Sequence, residues 1–538
     1  MNQNAPKSEN AQKPDKTQKP DNTQKPARLA FTGATTDQSV FRSDRIVGVL
    51  VATACGDALG APHEFGPPLA YDVPLAMTGG GPFGFAPGEY TDDTAMAIPI
   101  AHAVASGADL NDPKTIAQIL QAWIDWLEVT KDVGAQTGAI LHQLREVANE
   151  VDGEITLHRL NEARCRDISK AHHARHGRSA GNGALMRTAP VALGFLKDAA
   201  GNYDAEGLTK AARRIAELTH WESTAAEACI LWCHAIVHGI HSGEFDVRVG
   251  LDWIPAESRD YWLEAIETAE TSEPADFTSN NGWVVAAFQG AWSAICAGQR
   301  AGDGAVGMIE RAVRGGGDTD TVAAIAGGLV GAVFGVSAIP ADWRRTLHGW
   351  PGLNYRDLLN LGALAASGGK TGQQGWPTAE RWDEPARGTL VQHPFDDGVW
   401  LGSLDAVDRF EEVAGKQADA VISLCRVGKK QTGSDATSPE QIEFWLIDID
   451  GHNQDPVFLL SDVADTVAQL RGEDKTVLIH CVAAHSRTPS AGIAYAVRHL
   501  GIPVDDAQQA IEAALPEIHH NRQLVNAPRH IQPASAIE

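Results

Sequence analysis

Apolar residues recur at helical spacing from about residue 42 to residue 364. In the first predicted helix, Ser43 or Asp44 would act as the N-cap of a face that carries Ile46, Val47, Leu50, Val51 and Ala54. A later helix is predicted after Pro113, because the first turn of a helix tolerates proline. Strand-like alternation is scarce in this region. The pattern therefore predicts an all-α domain over residues 41–365.

The pattern changes after residues 366–388, which are rich in Gly, Ser and Pro and are typical of a linker. Short β-forming runs then alternate with helical stretches, which predicts an α/β domain with a central sheet over residues 389–538. The predicted strands are 398–401, 418–424, 444–449 and 476–480. At the other end of the chain, residues 1–40 repeat QKPD and TQKP, and this composition predicts a disordered tail. We therefore expect a multidomain chain.

Composition narrows the classes of function. The formal net charge of −25 opposes affinity for nucleic acid and for anionic membranes. The seven cysteines form no CxxC pair, and the first residues lack an apolar signal-peptide core, so we expect a reducing, cytoplasmic location. The uncharged segment 321–340 is about as long as a membrane span of roughly 20 residues. It is rich in Gly and Ala and begins inside an aspartate-rich motif, so a buried helix is expected instead.

Two short segments, YTDDT from Tyr90 and GGGDTDT from Gly315, combine aspartates and threonines just before apolar helical runs. Adjacent carboxylates at a buried helix start repel each other unless a hard cation neutralises them. Oxygen donors without sulfur favour magnesium or manganese. Taken singly, Asp92 and Asp318 could merely cap helices. Two such clusters together supply enough oxygen ligands for two metal ions.

Five blocks in order resemble the signature of the ADP-ribosylglycohydrolase family over roughly residues 46–364. They are GDALGAPHEF from Gly56, YTDDTAM from Tyr90, GNGALMRTAP from Gly181, LTH from Leu218 and GGDTDTVAAI from Gly316. The resemblance implies an all-helical fold that holds two Mg²⁺ or Mn²⁺ ions and acts on an ADP-ribosylated protein or an ADP-ribose-containing small molecule. The scissile linkage stays open.

The resemblance also assigns residues to the site. Thr91, Asp92 and Asp93 would bind metal from one side, and Asp318, Asp320 and Thr321 from the other. The glycine-rich block at Gly181, Asn182 and Gly183 is similar to the segment that wraps the ADP-ribose, where backbone amides can approach phosphate or ribose. Asp132 looks like the acid that protonates or positions the leaving group, and Glu64 is the other candidate.

A second kind of chemistry is indicated at Cys481. This cysteine follows an apolar strand, and five residues separate it from Arg487, which begins a predicted helix. Such a loop points its amides inward at a helix N-terminus, so it can cradle an anion and favour the thiolate. Cys481 could then attack phosphorus while Arg487 grips the phosphoryl oxygens, with Ser486 and Thr488 flanking the arginine.

The region from Val399 to about Ala527 resembles the dual-specificity protein phosphatases. The resemblance implies a general acid on an upstream loop, at Asp450 or, if the alignment slips, at Asp448. The family usually has glycine where this chain has Ala484, and alanine would distort the cradle if that position demands a positive φ. A degenerate phosphate-binding domain is therefore the alternative to an active phosphatase.

Three hypotheses follow. The first is a metal-dependent ADP-ribosylglycohydrolase fused to a cysteine-dependent phosphatase that would act on a phosphoprotein; no cofactor is expected in the second domain. The second is a module that recognises ADP-ribose or phosphate without turnover. The third is a scaffold, which would leave the desolvated aspartates unexplained.

Overall fold

The computed structural model describes residues 38–149, 160–196, 203–370, 388–428, 439–515, 517–519 and 521–534. Nearly all of the predicted tail, residues 1–37, and most of the predicted linker, residues 371–387, lie outside the described residues. The boundaries of the predicted domains therefore stay predictions.

Among the described residues between 38 and 370, the regular structure is helical apart from one short antiparallel ladder, His348–Gly349 (β1) with Leu353–Asn354 (β2). The prediction of an all-α region is right except for this ladder. The helices are Gln38–Gly60 (α1), Asp92–Ala105 (α2), Pro113–Leu127 (α3), Ala135–Asn149 (α4), Glu162–His176 (α5), Ala189–Leu193 (α6), Ala205–Glu217 (α7), Ser223–Ser242 (α8), Arg259–Thr271 (α9), Val284–Ala301 (α10), Gly304–Arg314 (α11), Thr319–Phe334 (α12), Ala341–Thr346 (α13) and Tyr355–Ser367 (α14).

Helices α1 and α12 pack backbone to backbone because glycines line their contact. A Cβ on Gly331 would lie 2.2 Å from the carbonyl oxygen of Gly48, and one on Gly56 would lie 2.2 Å from that of Ala323. A Cβ on Gly60 would lie 2.4 Å from the Cα of Asp320. This close packing brings the end of α1 beside the start of α12, where the acidic motif lies.

The apolar segment that contains α12 is a buried helix, as predicted from its composition. In the described part of the chain, the segment Arg42–His63 is long and apolar enough to cross a membrane by length and composition, but 89% of its most apolar window is buried in the protein. Burial of this kind is typical of a core helix.

The predicted N-cap of the first helix is wrong. Helix α1 begins at Gln38, so Ser43 and Asp44 lie inside it. The Asp44 carboxylate accepts hydrogen bonds from the backbone N and the Oγ of Ser337, at 3.2 and 2.9 Å. Burial raises the pKa of Asp44 to about 6. This aspartate ties α1 to the segment after α12 instead of starting a helix.

The remaining described residues surround a five-stranded sheet in the order β3-β4-β7-β5-β6, in which only the β3–β4 pair is antiparallel. The predicted central sheet is therefore present. Its strands are Leu390–His393 (β3), Asp396–Gly402 (β4), Ala420–Ser423 (β5), Glu440–Glu443 (β6) and Val477–His480 (β7). The helices are Ala406–Ala414 (α15), Pro456–Gly472 (α16), Arg487–His499 (α17), Val504–Ala514 (α18) and Arg522–Asn526 (α19).

One predicted strand, 444–449, is wrong, and two observed strands, β3 and β6, were missed. The chain leaves the sheet at residue 444, so β6 precedes the apolar run 444–449 that was predicted as a strand. The backbone N of Phe444 still donates to the carbonyl of Ser423 in β5 at 2.8 Å, but the strand has ended there. Phe444 and Leu446 are buried in the core, and their burial produced the strand-like pattern. Strand β3 was missed because it is only four residues long and half-buried.

The helical part covers the edge strand β6. The Tyr355 hydroxyl donates to the carbonyl of Gln441 at 2.9 Å, and the Arg344 guanidinium donates to the carbonyl of Glu443 at 2.6 Å. The backbone N of Ala341 donates to the buried Asp462 carboxylate at 3.0 Å. An edge strand presents unpaired backbone groups, and these contacts satisfy part of that edge.

Candidate functional site

The two threonine–aspartate clusters lie side by side. Thr91 precedes α2, and its Oγ1 lies 3.0 Å from Oδ2 of Asp93 and 3.5 Å from Oδ2 of Asp320. Asp318 occupies the N-cap position of α12, yet its side chain makes no capping hydrogen bond. Asp92 lies inside α2 and accepts from the backbone N of Gly134 at 3.3 Å. The capping alternative therefore does not describe these aspartates.

Asp57, near the end of α1, belongs to the same cluster and had no role in the sequence-based assignment. It is fully buried, and its two carboxylate oxygens accept from the backbone N of Thr91 at 2.8 Å and of Thr94 at 2.9 Å. Asp57 thus caps α2 from another helix. The sequence signal was available, because an aspartate interrupts the apolar helix just before residues 58–61.

Two overlapping groups of carboxylates could each hold a metal ion. Asp57, Asp93 and Asp320 form one, and Glu64, Asp318 and Asp320 form the other; within each group the ligand oxygens all lie within 4.8 Å of one another. Asp320 is common to both. Its position between them suits a shared ligand.

The protein alone leaves this cluster electrostatically unsatisfied. Burial, and then repulsion by Asp132 and Asp57, raises the pKa of Asp92 to about 8. Burial and neighbouring carboxylates also raise the pKa values of Asp93 and Asp320 well above their ordinary range. The buried Oδ1 of Asp93 has no hydrogen-bond partner. An all-oxygen donor set with an orphaned buried atom fits a hard divalent cation.

The two candidate acids flank the cluster. Burial, and then repulsion by Asp318 and Asp132, raises the pKa of Glu64 to about 8. Burial also raises the pKa of Asp132 to about 6, with Asp318 contributing. Both side chains are therefore close enough to the cluster to interact with Asp318 electrostatically.

The glycine-rich block lies beside the cluster, but the backbone and side-chain amides of Asn182 both bind other groups of the protein. Its backbone N donates to the carbonyl of Gly282 at 3.1 Å, so this amide is already used. Its side-chain Nδ2 donates to Oδ2 of Asp318 at 2.7 Å. Cβ atoms on Gly181 and Gly183 would each lie 3.1 Å from the His220 ring. The block therefore orients Asp318 and packs against a buried histidine.

A cleft of about 440 Å³ opens beside Gly181. Arg178 and Trp283 line it together with Gln136, Ser179, Glu222 and Asn280. It combines an arginine and an aromatic ring, which are groups that can bind phosphate and a nucleoside.

The cysteine loop joins β7 to α17, as predicted. Cys481 follows β7 and is buried, and Arg487 is the first residue of α17. Ala484 has a φ of 60°, so this loop does demand the left-handed conformation that favours glycine. The loop closes at a helix N-terminus, which is the geometry expected of an anion cradle.

The structure brings Asp448 to the arginine of this loop and turns Asp450 elsewhere. Oδ2 of Asp448 lies 3.5 Å from Nε of Arg487, whose Nη1 donates to the carbonyl of Leu446 at 3.1 Å. Oδ1 of Asp450 accepts from the backbone N of Gln523 at 2.8 Å and so caps α19. Of the two aspartates, it is therefore Asp448 that contacts the arginine of the loop.

The residues that flank the arginine point into the protein. The Thr488 hydroxyl is fully buried and donates to the carbonyl of Gly402 at 3.2 Å. The Ser486 hydroxyl accepts from the backbone N of Asn521 at 3.3 Å. Both side chains therefore hold the loop against the end of β4 and the start of α19, and their expected part in substrate binding stays a prediction.

Comparison with known proteins matches residues 37–373 to a family model described as ADP-ribosylglycohydrolase. The chain is 29% identical over 315 residues to the ADP-ribosylarginine hydrolase Tri1 of Pseudomonas putida (strain GB-1), covering 56% of this chain and 73% of the relative. It is 28% identical over 313 residues to the ADP-ribosyl-[dinitrogen reductase] glycohydrolase of Rhodospirillum rubrum, covering 56% and 89%. A crystal structure of human DUSP28 matches at 22% identity and a TM-score of 0.22, covering 26% of this chain and 90% of that one.

Proposed function

The chain belongs to the ADP-ribosylglycohydrolase family, and we propose that its helical part hydrolyses the bond between ADP-ribose and an arginine side chain of a modified protein. The choice of arginine rests on the relatives, one of which is named as an ADP-ribosylarginine hydrolase. A protein substrate suits this site, because the candidate acids Glu64 and Asp132 are partly exposed while carboxylates such as Asp93 and Asp320 are buried.

The observation that carries this proposal is the buried carboxylate cluster. Thr91, Asp92, Asp93, Asp318, Asp320 and Thr321 would hold two Mg²⁺ or Mn²⁺ ions, and Asp57 would keep Thr91 and the start of α2 in place. Two such ions, when bound, supply Lewis acidity toward the ribose hydroxyls and an attacking water.

The protein's own residues do the remaining work. The cleft beside Gly181 would take the adenosine and pyrophosphate, while the side chain of Asn182 fixes the orientation of Asp318. Glu64 and Asp132 lie at the edge of the cluster, where one can protonate the leaving nitrogen and the other can accept a proton from water. Their separate roles can be assigned from kcat, since Glu64→Gln and Asp132→Asn each remove one proton carrier.

The decisive experiment uses peptides of one sequence that carry ADP-ribose on arginine or on serine, with and without added manganese. Release of ADP-ribose from the arginine-linked peptide, dependent on the ion and lost in Asp318→Ala, is the expected result. Tight binding without release would instead favour a module that recognises ADP-ribose. Release from the serine-linked peptide alone would move the substrate class from N- to O-glycosidic bonds.

A second activity is favoured by the cysteine loop. We propose that Cys481 attacks the phosphorus of a phosphate monoester while Arg487 holds the phosphoryl oxygens and Asp448 protonates the leaving oxygen. Hydrolysis of an aryl phosphate that disappears in Cys481→Ser is the expected result. Hydrolysis that survives this substitution would exclude the thiolate mechanism, and phosphate binding without hydrolysis would indicate a degenerate domain.

A further inference from the structure

An exposed aromatic side chain directly follows the candidate acid Glu64. The side chain of Phe65 is 67% exposed, and its backbone has a φ of 60°, which large side chains rarely adopt. Its backbone N donates to the carbonyl of Gly317 at 2.6 Å, one residue before Asp318. The strained backbone is thus fixed by the segment that carries the metal-binding aspartates, and strain of this kind is typical of functional sites.

A second phenylalanine is delivered beside the first by a tight hairpin. Gly80 and Phe85 exchange two backbone hydrogen bonds, of 2.8 and 3.0 Å, and this turn places Phe83 at its tip. The rings of Phe65 and Phe83 meet edge to face, with centroids 6.4 Å apart. A Cβ on Gly81 would lie 2.3 Å from the carbonyl oxygen of Ala61, so the hairpin packs closely on the backbone just before Glu64.

The aromatic row continues toward the other candidate acid. Phe83 packs against the buried Phe85, with ring centroids 6.4 Å apart. The Nζ of Lys131 lies 5.2 Å from the centroid of the Phe85 ring, and the next residue is Asp132. The three phenylalanines therefore run from Glu64 toward Asp132. Within the described residues, no cation lies over the rings of Phe65 or Phe83.

We propose that Phe65 and Phe83 form the wall of the site that receives the leaving group, and that they pack against the cationic guanidinium of the modified arginine. The inference rests on the proposed function and names the residues that would select an arginine linkage. An aromatic face attracts a guanidinium, and the carboxylates of Glu64 and Asp132, when deprotonated, would favour a cation along this row of rings. A neutral serine linkage would gain little from this wall.

The test compares KM and kcat for ADP-ribose release from the arginine-linked peptide. Phe65→Leu keeps a Cβ at the left-handed position and removes only the ring, so it adds no new backbone strain. We expect Phe65→Leu and Phe83→Leu each to raise KM about tenfold with kcat changed by less than about twofold, as loss of a partly desolvated cation–ring contact predicts. Phe65→Tyr, which keeps the ring, should preserve KM.

Tyr71→Leu is the matched control. Tyr71 is also exposed, but the guanidiniums of Arg311 and Arg314 lie 4.9 and 5.6 Å from its ring centroid, so its substitution should leave KM unchanged. An unchanged KM in both leucine variants, or an equal rise in Tyr71→Leu, would overturn the inference while the proposed function stands. No release by the parent chain with either ion would overturn the proposed function, and the inference with it.

Discussion

Thr91 and Asp320 are 229 residues apart in the chain, yet Oγ1 of the first lies 3.5 Å from Oδ2 of the second. Both are buried at helix starts, one before α2 and one in the first turn of α12. Helix α1 connects them. Its glycine contact with α12 places Gly60 against Asp320, and Asp57, three residues earlier on α1, accepts a hydrogen bond from the backbone N of Thr91.

The first prediction concerns stability without metal. Asp320→Asn keeps the shape of the side chain and removes a carboxylate whose ionisation is disfavoured by burial and by Asp93, so the free energy of unfolding without metal should rise. Added Mg²⁺ or Mn²⁺ should raise the melting temperature of the parent chain and not that of the variant. Calorimetry with and without the ion measures both effects.

Asp112→Asn is the control for this experiment. Asp112 caps α3 through the backbone N of Lys114 at 2.9 Å, and asparagine caps a helix equally well. It should leave the melting temperature and its response to the ion unchanged. If metal still stabilises Asp320→Asn as strongly as the parent chain, Asp320 is not a ligand.

The second prediction concerns the cysteine loop. Ala484→Gly relieves the left-handed strain of an L-residue, about 1 kcal/mol, and this offsets the greater freedom of glycine in the unfolded chain. We expect it to change the free energy of unfolding by less than about 0.5 kcal/mol. Ala483→Gly, in the same loop, has no such strain to relieve and should destabilise the protein by about 1 kcal/mol. An equal loss of unfolding free energy in the two variants would contradict the left-handed conformation of Ala484.

The third prediction separates the two candidate acids of the cysteine site. Asp448→Asn should lower kcat for a phosphate ester with a poor leaving group by about a hundredfold, since the proton donor is lost. Asp450→Asn removes the charge from the cap of α19 and should leave kcat within about twofold. Measuring both variants with p-nitrophenyl phosphate, whose leaving group needs less protonation, should shrink the effect of Asp448→Asn. A larger loss of kcat in Asp450→Asn than in Asp448→Asn would show that Asp450 is the proton donor.

The fourth prediction follows from the buried His480, whose Nε2 lies 2.7 Å from the Ser423 hydroxyl. Burial lowers the pKa of His480 to about 4, whereas an unfolded histidine titrates near about 6.5. Between these values the unfolded chain binds the extra proton, so stability falls as the pH drops from about 6.5 to 4. Over this whole pH range, the free energy of unfolding should fall by about 3 kcal/mol.

This effect can be measured as a slope. In His480→Asn, the free energy of unfolding should change with pH in that window less steeply than in the parent chain, by up to about 1.4 kcal/mol per pH unit. The exposed His530→Asn should preserve the parent slope. A parent slope that persists in His480→Asn would show that other groups carry the pH dependence.

Much of this protein was accessible from the sequence, because the relevant signals are local. Helical spacing predicted the all-α region, and the change of pattern near residue 390 predicted the sheet. The clusters that contain Thr91 and Asp318 were recognisable as aspartate-rich segments just before apolar helices. The Cys481 loop was recognisable from the apolar strand before it, the five-residue spacing to Arg487 and the helix that follows. The sequence raised a positive φ at Ala484 only as a condition, because the phosphatase family that this region resembles usually has glycine there, and the structure has that φ. The cytoplasmic location stays a prediction.

The tertiary structure decided everything that depends on a partner distant in the chain. Asp57 lies in the carboxylate cluster because α1 packs against α12, and the side-chain amide of Asn182 is hydrogen-bonded to Asp318 at 2.7 Å. The sequence favoured Asp450 over Asp448 as the acid, and only the folded positions of Arg487 and Gln523 show which contacts each aspartate makes. Local patterning sets which segments form helices and strands; hydrogen-bond partners and burial, which set the chemistry of each side chain, depend on how those segments pack.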